Sequence, residues 1–169
     1  MKDNFDKCFA LVLQDEGGYV NDPRDPGGRT NMGVTQRAWE AYARKEVTEE
    51  FMRKLTPEQV KPFFRIMYWN KLRGDDLPSG VDYAAFDLAV NSGVRRAAKY
   101  LQEIAGVPVD GVIGPRSLAA IDACDPQQLI NALCDMRLRF LQDLPTFDTF
   151  GKGWTRRVAG VKTHASAMA

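Results

Sequence analysis

The sequence is poor in the residues that build metal sites, and its charges nearly balance. It has one histidine, His164, and three cysteines, Cys8, Cys124 and Cys134, in 169 residues. No metal-ligand spacing is present, so we expect no metal and no cofactor, and at least one cysteine must stay unpaired. The net charge of +1 gives no global field. That balance argues against nucleic acid as a partner.

Long hydrophobic runs are also missing. No segment is long enough to span a bilayer, and the first seven residues carry acidic side chains, unlike a signal peptide. We therefore expect synthesis in the cytoplasm, with any target outside it reached by an export route that this sequence does not encode. The 44% hydrophobic content is sufficient for a buried core. The length suits one compact unit, and we expect a monomer.

Apolar periodicity predicts a mainly α fold. A helix with one apolar face is indicated by Phe5, Cys8, Phe9, Val12 and Leu13. Thr35 is placed to cap a second helix, and Thr56 to Gln59 is a helix-start signal. Further helices are predicted from about Val81, from Val94, over 115–122, over 126–144 with a central position, and over 154–167. The only strand candidates form a glycine-turned hairpin around Asn31 to Val34.

Glu16 is the next position on the apolar face of the first helix. Partial desolvation there would raise the pKa of its carboxyl group and let it hold a proton near neutral pH. General-acid catalysis needs such a group beside an open loop. The alternative is a solvated or capping glutamate at a helix end.

The segment after Glu16, residues 17–35, supports the catalytic interpretation. It contains five glycines, two prolines and two further carboxylates, Asp22 and Asp25. Either carboxylate, if ionised, suits the second role in glycoside hydrolysis, in which negative charge or an activated water faces the anomeric carbon. Both also precede proline, so the alternative for each is a turn-forming aspartate.

The run from Glu16 to Thr35 closely resembles the opening motif of glycoside hydrolase family 108. These are lysozyme-like N-acetylmuramidases, found as phage endolysins and once labelled secretion activators. The stretch Phe86 to Gly93 resembles the same family. Parts of the later sequence resemble its companion peptidoglycan-binding region, namely 101–102, 109–115 and 119–121. The resemblance implies a lysozyme-like fold, a muramidase region over 1–93 and a peptidoglycan-binding helical region over 94–169, packed into one compact unit.

The resemblance also implies residue roles. Glu16 would be the general acid for cleavage of the β-1,4 bond between N-acetylmuramic acid and N-acetylglucosamine, and peptidoglycan glycan strands would be the partner. Asp25 lies nine residues after Glu16, and Thr30 lies five residues further, which approximates the spacing in phage lysozymes. Asp22 is the alternative to Asp25 as the second catalytic carboxylate. The protein would act in the periplasm or cell wall after release or export.

Substrate-binding candidates are Tyr19, Asp22 and Asn91. Asn91 falls at a predicted helix end, where capping is the alternative, and Trp69 is a further aromatic candidate whose alternative is core packing. Near the C-terminus, Trp154, Arg156 and Arg157 are candidates for contact with wall carboxylates, or else a packed tryptophan with solvated arginines. Two other functions stay open: a lytic transglycosylase, and a non-catalytic module that binds the wall or assists secretion. The choice between inverting and retaining hydrolysis depends on the separation of the two carboxyl groups.

Overall fold

A computed structural model describes residues 4–24 and 28–169 of the chain. These residues form nine α-helices and one small antiparallel sheet. They fall into two compact units: the described residues up to Cys8 together with Tyr68–Ala169, here the larger unit, and Phe9–Met67, here the smaller unit. The predicted mainly α, lysozyme-like fold with a small hairpin after the first helix is confirmed. No helix in the described ranges is both long and apolar enough to span a lipid bilayer.

Helix α1 (Asn4–Asp15) begins in the larger unit and ends in the smaller one. The predicted apolar face is confirmed, because Phe5, Cys8, Phe9 and Val12 are buried. In the smaller unit, Phe9 packs edge-on against Phe64, with ring centroids 5.5 Å apart.

The rest of the smaller unit consists of a hairpin and three short helices. Strands β1 (Thr30–Asn31) and β2 (Val34–Thr35) pair with Asn31 opposite Val34. The helices are α2 (Gln36–Ala43), α3 (Glu49–Arg53) and α4 (Pro57–Phe64). The Thr35 side chain accepts a hydrogen bond from the Ala38 N–H and therefore caps α2, as predicted. Thr56 and Gln59 form the predicted capping box of α4.

In the larger unit, a 3-10 turn (Gly74–Asp76) precedes α5 (Val81–Ser92) and α6 (Val94–Ala105). Helices α7 (Pro115–Asp122), α8 (Pro126–Gln142) and α9 (Phe147–Met168) complete it. A π-helical turn (Arg65–Trp69) precedes the 3-10 turn in the sequence. It contains the boundary between the two units, which falls between Met67 and Tyr68. The most completely buried helix is α5, whose residues 81–89 are all buried. The expected central position of α8 is confirmed, because α8 packs against α5, α6 and α9.

A buried ion-pair cluster joins three helices of the larger unit. Asp87 of α5 is fully buried and accepts hydrogen bonds from Arg137 of α8 at 2.6 Å and from Arg157 of α9 at 2.9 Å. Two arginines compensate one carboxylate that has lost all contact with water. The alternative in which Arg157 is a solvated residue was wrong, because its side chain is mostly buried in this cluster.

Gln102 holds the connection between α6 and α7. Its amide nitrogen donates to Asp110 at 2.8 Å, to the Val112 carbonyl at 2.9 Å and to Ser117 at 3.1 Å. Its amide oxygen accepts from the backbone N–H groups of Asp110 and Gly111. One buried side-chain amide therefore hydrogen-bonds to polar groups of four residues, namely Asp110, Gly111, Val112 and Ser117. The hydrogen bond that it donates to the Asp110 carboxylate lowers the pKa of Asp110.

Candidate active site

Glu16 lies directly after the last residue of α1. Its backbone N–H donates to the Leu13 carbonyl at 3.3 Å, and its side chain is half-buried. The apolar face of α1 therefore ends at a carboxylate, in agreement with the sequence pattern. The chain then leaves the helix through Gly17 and Gly18, and a Cβ atom at either position would meet no other described residue within 4 Å.

The Glu16 carboxylate contacts the turn of the hairpin. Met32 and Gly33 are its two central residues and have φ angles of 50° and 77°, the left-handed pattern of a type I′ turn. A Cβ atom built on Gly33 would lie 2.6 Å from Glu16 Oε2 and 2.9 Å from Glu16 Cδ. Gly33 is thus needed both for its φ angle and for the space that the carboxylate fills.

The chain after Glu16 is fastened to the hairpin by backbone hydrogen bonds. The Met32 N–H donates to the Gly17 carbonyl at 3.1 Å, and Val20 and Thr30 exchange two bonds of 2.7 and 2.8 Å. Asn31, which is buried, donates from its amide to the Met52 carbonyl at 2.8 Å and thereby ties β1 to α3. Thr30, a predicted site residue, lies in β1 opposite Thr35.

Asp22 forms a local pair with Arg24. The Arg24 guanidinium donates to both carboxylate oxygens, at 3.0 and 2.9 Å, and the Arg24 backbone N–H donates to Oδ1 at 3.0 Å. These side-chain and backbone hydrogen bonds lower the pKa of Asp22, so it is ionised at neutral pH. The turn-forming interpretation of Asp22 is confirmed by the bond to the Arg24 N–H. Asp25, the other candidate, lies outside the described residues.

Tyr19 is held by charged side chains of α3. Its hydroxyl donates to Glu49 at 3.0 Å, and the Arg53 guanidinium lies 4.5 Å from the centre of its ring. Arg53 also donates to Glu49 at 2.9 Å, and Arg29 lies 3.6 Å from it. The hydrogen bonds from Arg53 and Tyr19 lower the pKa of Glu49. No local sequence pattern identifies Glu49 or Arg53, because Tyr19, which both side chains contact, lies at least 30 residues away in sequence.

The remaining candidates belong to the larger unit. Asn91 is exposed in the last turn of α5, and its side-chain oxygen accepts from the Ser92 hydroxyl at 3.1 Å. The capping alternative for Asn91 was wrong, because Gly93 ends the helix. Trp69 is buried, donates to Asp75 at 3.0 Å and packs edge-on against Phe5. Its core interpretation is confirmed, which removes it from the substrate-binding candidates.

In the part of the chain that the structure describes, no three His, Cys, Asp or Glu side chains are grouped so that they could hold a metal ion. A half-buried carboxylate at the end of the first helix, against a glycine-turned hairpin in a mainly α fold, defines the class of lysozyme-like glycoside hydrolases.

Comparisons with known proteins agree with this class. Residues 9–93 match the family model described as Glycosyl hydrolase 108, and residues 96–159 match the one described as Predicted Peptidoglycan domain. The chain is similar to the solved structure of Brucella abortus SagA, with 48% sequence identity and a TM-score of 0.89. That match covers 99% of this chain and 96% of the other. No curated protein matches the chain.

The chain belongs to the glycosyl hydrolase 108 family. The family predicted from the two motifs is thereby confirmed, and the function is related to peptidoglycan. The sequence boundary predicted at 93/94 stays a prediction.

Proposed function

We propose that the protein hydrolyses the β-1,4 bond between N-acetylmuramic acid and N-acetylglucosamine in peptidoglycan, with Glu16 as the general acid. The observation that carries the proposal is the contact between the Glu16 carboxylate and Gly33 at the hairpin turn. The carboxylate therefore lies against the hairpin turn, next to a glycine-rich segment and inside the region that matches the hydrolase family. Membership of that family supports the substrate class.

Proton delivery to the leaving oxygen requires a carboxyl group that is sheltered on one side and accessible on the other. Glu16 is half-buried, with Gly33 against its carboxylate. Among the described residues, nothing lies within 4 Å of a Cβ atom built on Gly17 or Gly18, the two residues that follow Glu16. A glutamate in this position can give its proton to the glycosidic oxygen that leaves.

The transition state also needs negative charge or an oriented water at the anomeric carbon. Asp25 and Asp22 are the two candidates, with Thr30 as a hydroxyl that would orient the water. The lowered pKa of Asp22 supports an ionised form, although Arg24 neutralises part of its charge. Tyr19 would contact the sugar from a position fixed by Glu49 and Arg53. We also propose that the protein acts in the periplasm or cell wall after release or export.

The test is the replacement of Glu16 by glutamine, which keeps the shape and removes the proton. We expect the Glu16→Gln variant to lose turbidity-reducing activity on permeabilised Gram-negative cells by about 10²- to 10⁴-fold. Its binding to sedimented peptidoglycan should be kept. The matched control is Asp15→Asn, since Asp15 is an exposed carboxylate at the end of the same helix. Unchanged lysis by Glu16→Gln would reject the proposed acid.

Product analysis separates the proposed reaction from the transglycosylase alternative. Hydrolysis adds one water to each cleaved bond, whereas a lytic transglycosylase leaves an anhydro sugar. Mass spectrometry of the released muropeptides should therefore show reducing ends and no anhydro products. Asp22→Asn and Asp25→Asn, assayed side by side, identify the second carboxylate as the one whose loss abolishes hydrolysis.

A further inference from the structure

A small pocket in the larger unit is not explained by the proposed chemistry of Glu16. Its volume is about 180 Å³. It is bounded by the ends of two helices and the side of a third, and its lining residues are Asn91, Ser92, Phe140, Leu141, Leu144 and Trp154. Four of these side chains are apolar or aromatic, and Asn91 and Ser92 are polar.

Aromatic side chains give the pocket a flat apolar wall. Trp154 of α9 is half-buried, and the ring of Phe150 lies beside it with centroids 5.7 Å apart. Phe150 is 54% exposed, so the aromatic surface continues from the pocket toward solvent. The Arg96 guanidinium lies over the ring of Phe140, 3.7 Å from the ring centre. Such walls bind the C–H faces of sugar rings by burial of apolar area.

Asn91 supplies a polar side chain to the lining of the pocket. Its side-chain oxygen already accepts the Ser92 hydroxyl, while its amide nitrogen makes no hydrogen bond within the described part of the chain. The free N–H groups therefore suit a carbonyl acceptor on a ligand. An aromatic wall beside an amide donor matches a sugar that carries an acetamido group.

We propose that this pocket, named here the Asn91–Trp154 pocket, binds one N-acetylhexosamine residue of a glycan strand. The inference rests on the proposed function, since its ligand is a unit of the proposed substrate. Trp154 would stack on the sugar ring, and the Asn91 amide would donate to the acetamido carbonyl. Pockets for drug-sized ligands enclose roughly 300–1,000 Å³. At about 180 Å³ this one admits a single sugar.

The experiment follows the tryptophan indole N–H signals by NMR during titration with the N-acetylglucosamine trimer, in Glu16→Gln protein to prevent cleavage. The chain has three tryptophans. Trp39 and Trp69 are buried and Trp154 is half-buried, and the Trp154→Phe variant identifies the Trp154 signal by its loss. Cellotriose, which lacks acetamido groups, is the ligand control. Asn70→Ala is the protein control, because Asn70 is also exposed in the larger unit and does not line the pocket.

We expect the Trp154 signal to shift with the N-acetylglucosamine trimer and not with cellotriose. Asn91→Ala should weaken the affinity read from this signal by roughly three- to tenfold, the worth of one neutral hydrogen bond, and Asn70→Ala should leave it unchanged. A Trp154 signal that does not move at saturation, or an unchanged affinity in Asn91→Ala, would overturn the inference. If the signal responds as expected while the unmodified protein cleaves no peptidoglycan, the pocket stands and the proposed function falls.

Discussion

Replacing Gly33 by alanine tests whether the hairpin turn positions the catalytic acid. Gly33 has a φ of 77°, and its added Cβ atom would lie 2.6 Å from Glu16 Oε2, where ordinary contact begins at 3.4 Å. The carboxylate must therefore move by about 0.8 Å. Because the side chain of Glu16 is flexible at its end, this movement costs little stability but displaces the proton donor. A displacement of about 1 Å can cost roughly 100-fold in rate.

Gly28 offers a matched control. It has the same φ of 77°, but among the described residues the nearest atom to an added Cβ is Gln36 Cβ at 4.0 Å. Both alanine variants should lose about 1–2 kcal/mol of stability from the left-handed backbone. Only Gly33→Ala should also lose activity, by roughly 10- to 100-fold in the rate of turbidity decrease at a temperature where both variants are folded.

The comparison needs thermal unfolding and lysis rates measured on the same preparations. If Gly33→Ala lyses cells within twofold of Gly28→Ala, the turn does not hold the reacting group. The proposed role of Glu16 would then lose its structural support.

Three further outcomes concern stability and reactivity in the larger unit. Asp87→Asn should lower the free energy of unfolding in denaturant by about 3–5 kcal/mol, because it leaves buried arginines without their carboxylate. The control is Asp135→Asn, which breaks an exposed pair with Lys162 and should cost less than about 1 kcal/mol. Burial raises the pKa of Asp82, so the folded state binds its proton more tightly. Stability relative to Asp82→Asn should therefore fall as pH rises above 3.8, the ordinary pKa, and a flat difference would contradict this. In native protein, Ellman's reagent should modify Cys124 alone, since the other two thiols are buried and burial raises their pKa, for Cys134 to about 11.

Patterns that depend on neighbouring residues were predictable from the sequence. The apolar face of α1 follows from three- and four-residue spacing, and the cap at Thr35 follows from a side chain that bonds three residues ahead. Glu16 was identified for the same reason, because its position is fixed by the helix that precedes it.

Features that depend on distant partners were not predictable. The hydrogen bond from Tyr19 to Glu49 joins residues 30 positions apart in sequence. No sequence pattern indicates that Gly33 lies against the Glu16 carboxylate. The last helix starts at Phe147, seven residues before the predicted start at Trp154. Glycine normally weakens a helix, but Gly151 is buried under the ring of Phe147, and a Cβ atom there would lie 2.7 Å from that ring. Close packing of the aromatic ring outweighs the low helix propensity.

The Asp87 cluster has a consequence for dissecting the protein. Asp87 belongs to the stretch that matches the hydrolase family, while both of its arginines belong to the stretch that matches the peptidoglycan domain. A fragment cut between the two stretches would leave the Asp87 carboxylate of α5 without either of its arginines. A chimera that exchanges one half with a relative should therefore fold only when the two halves together supply the aspartate and both arginines. The boundary between the two family matches is thus not a point at which the halves can be inherited independently.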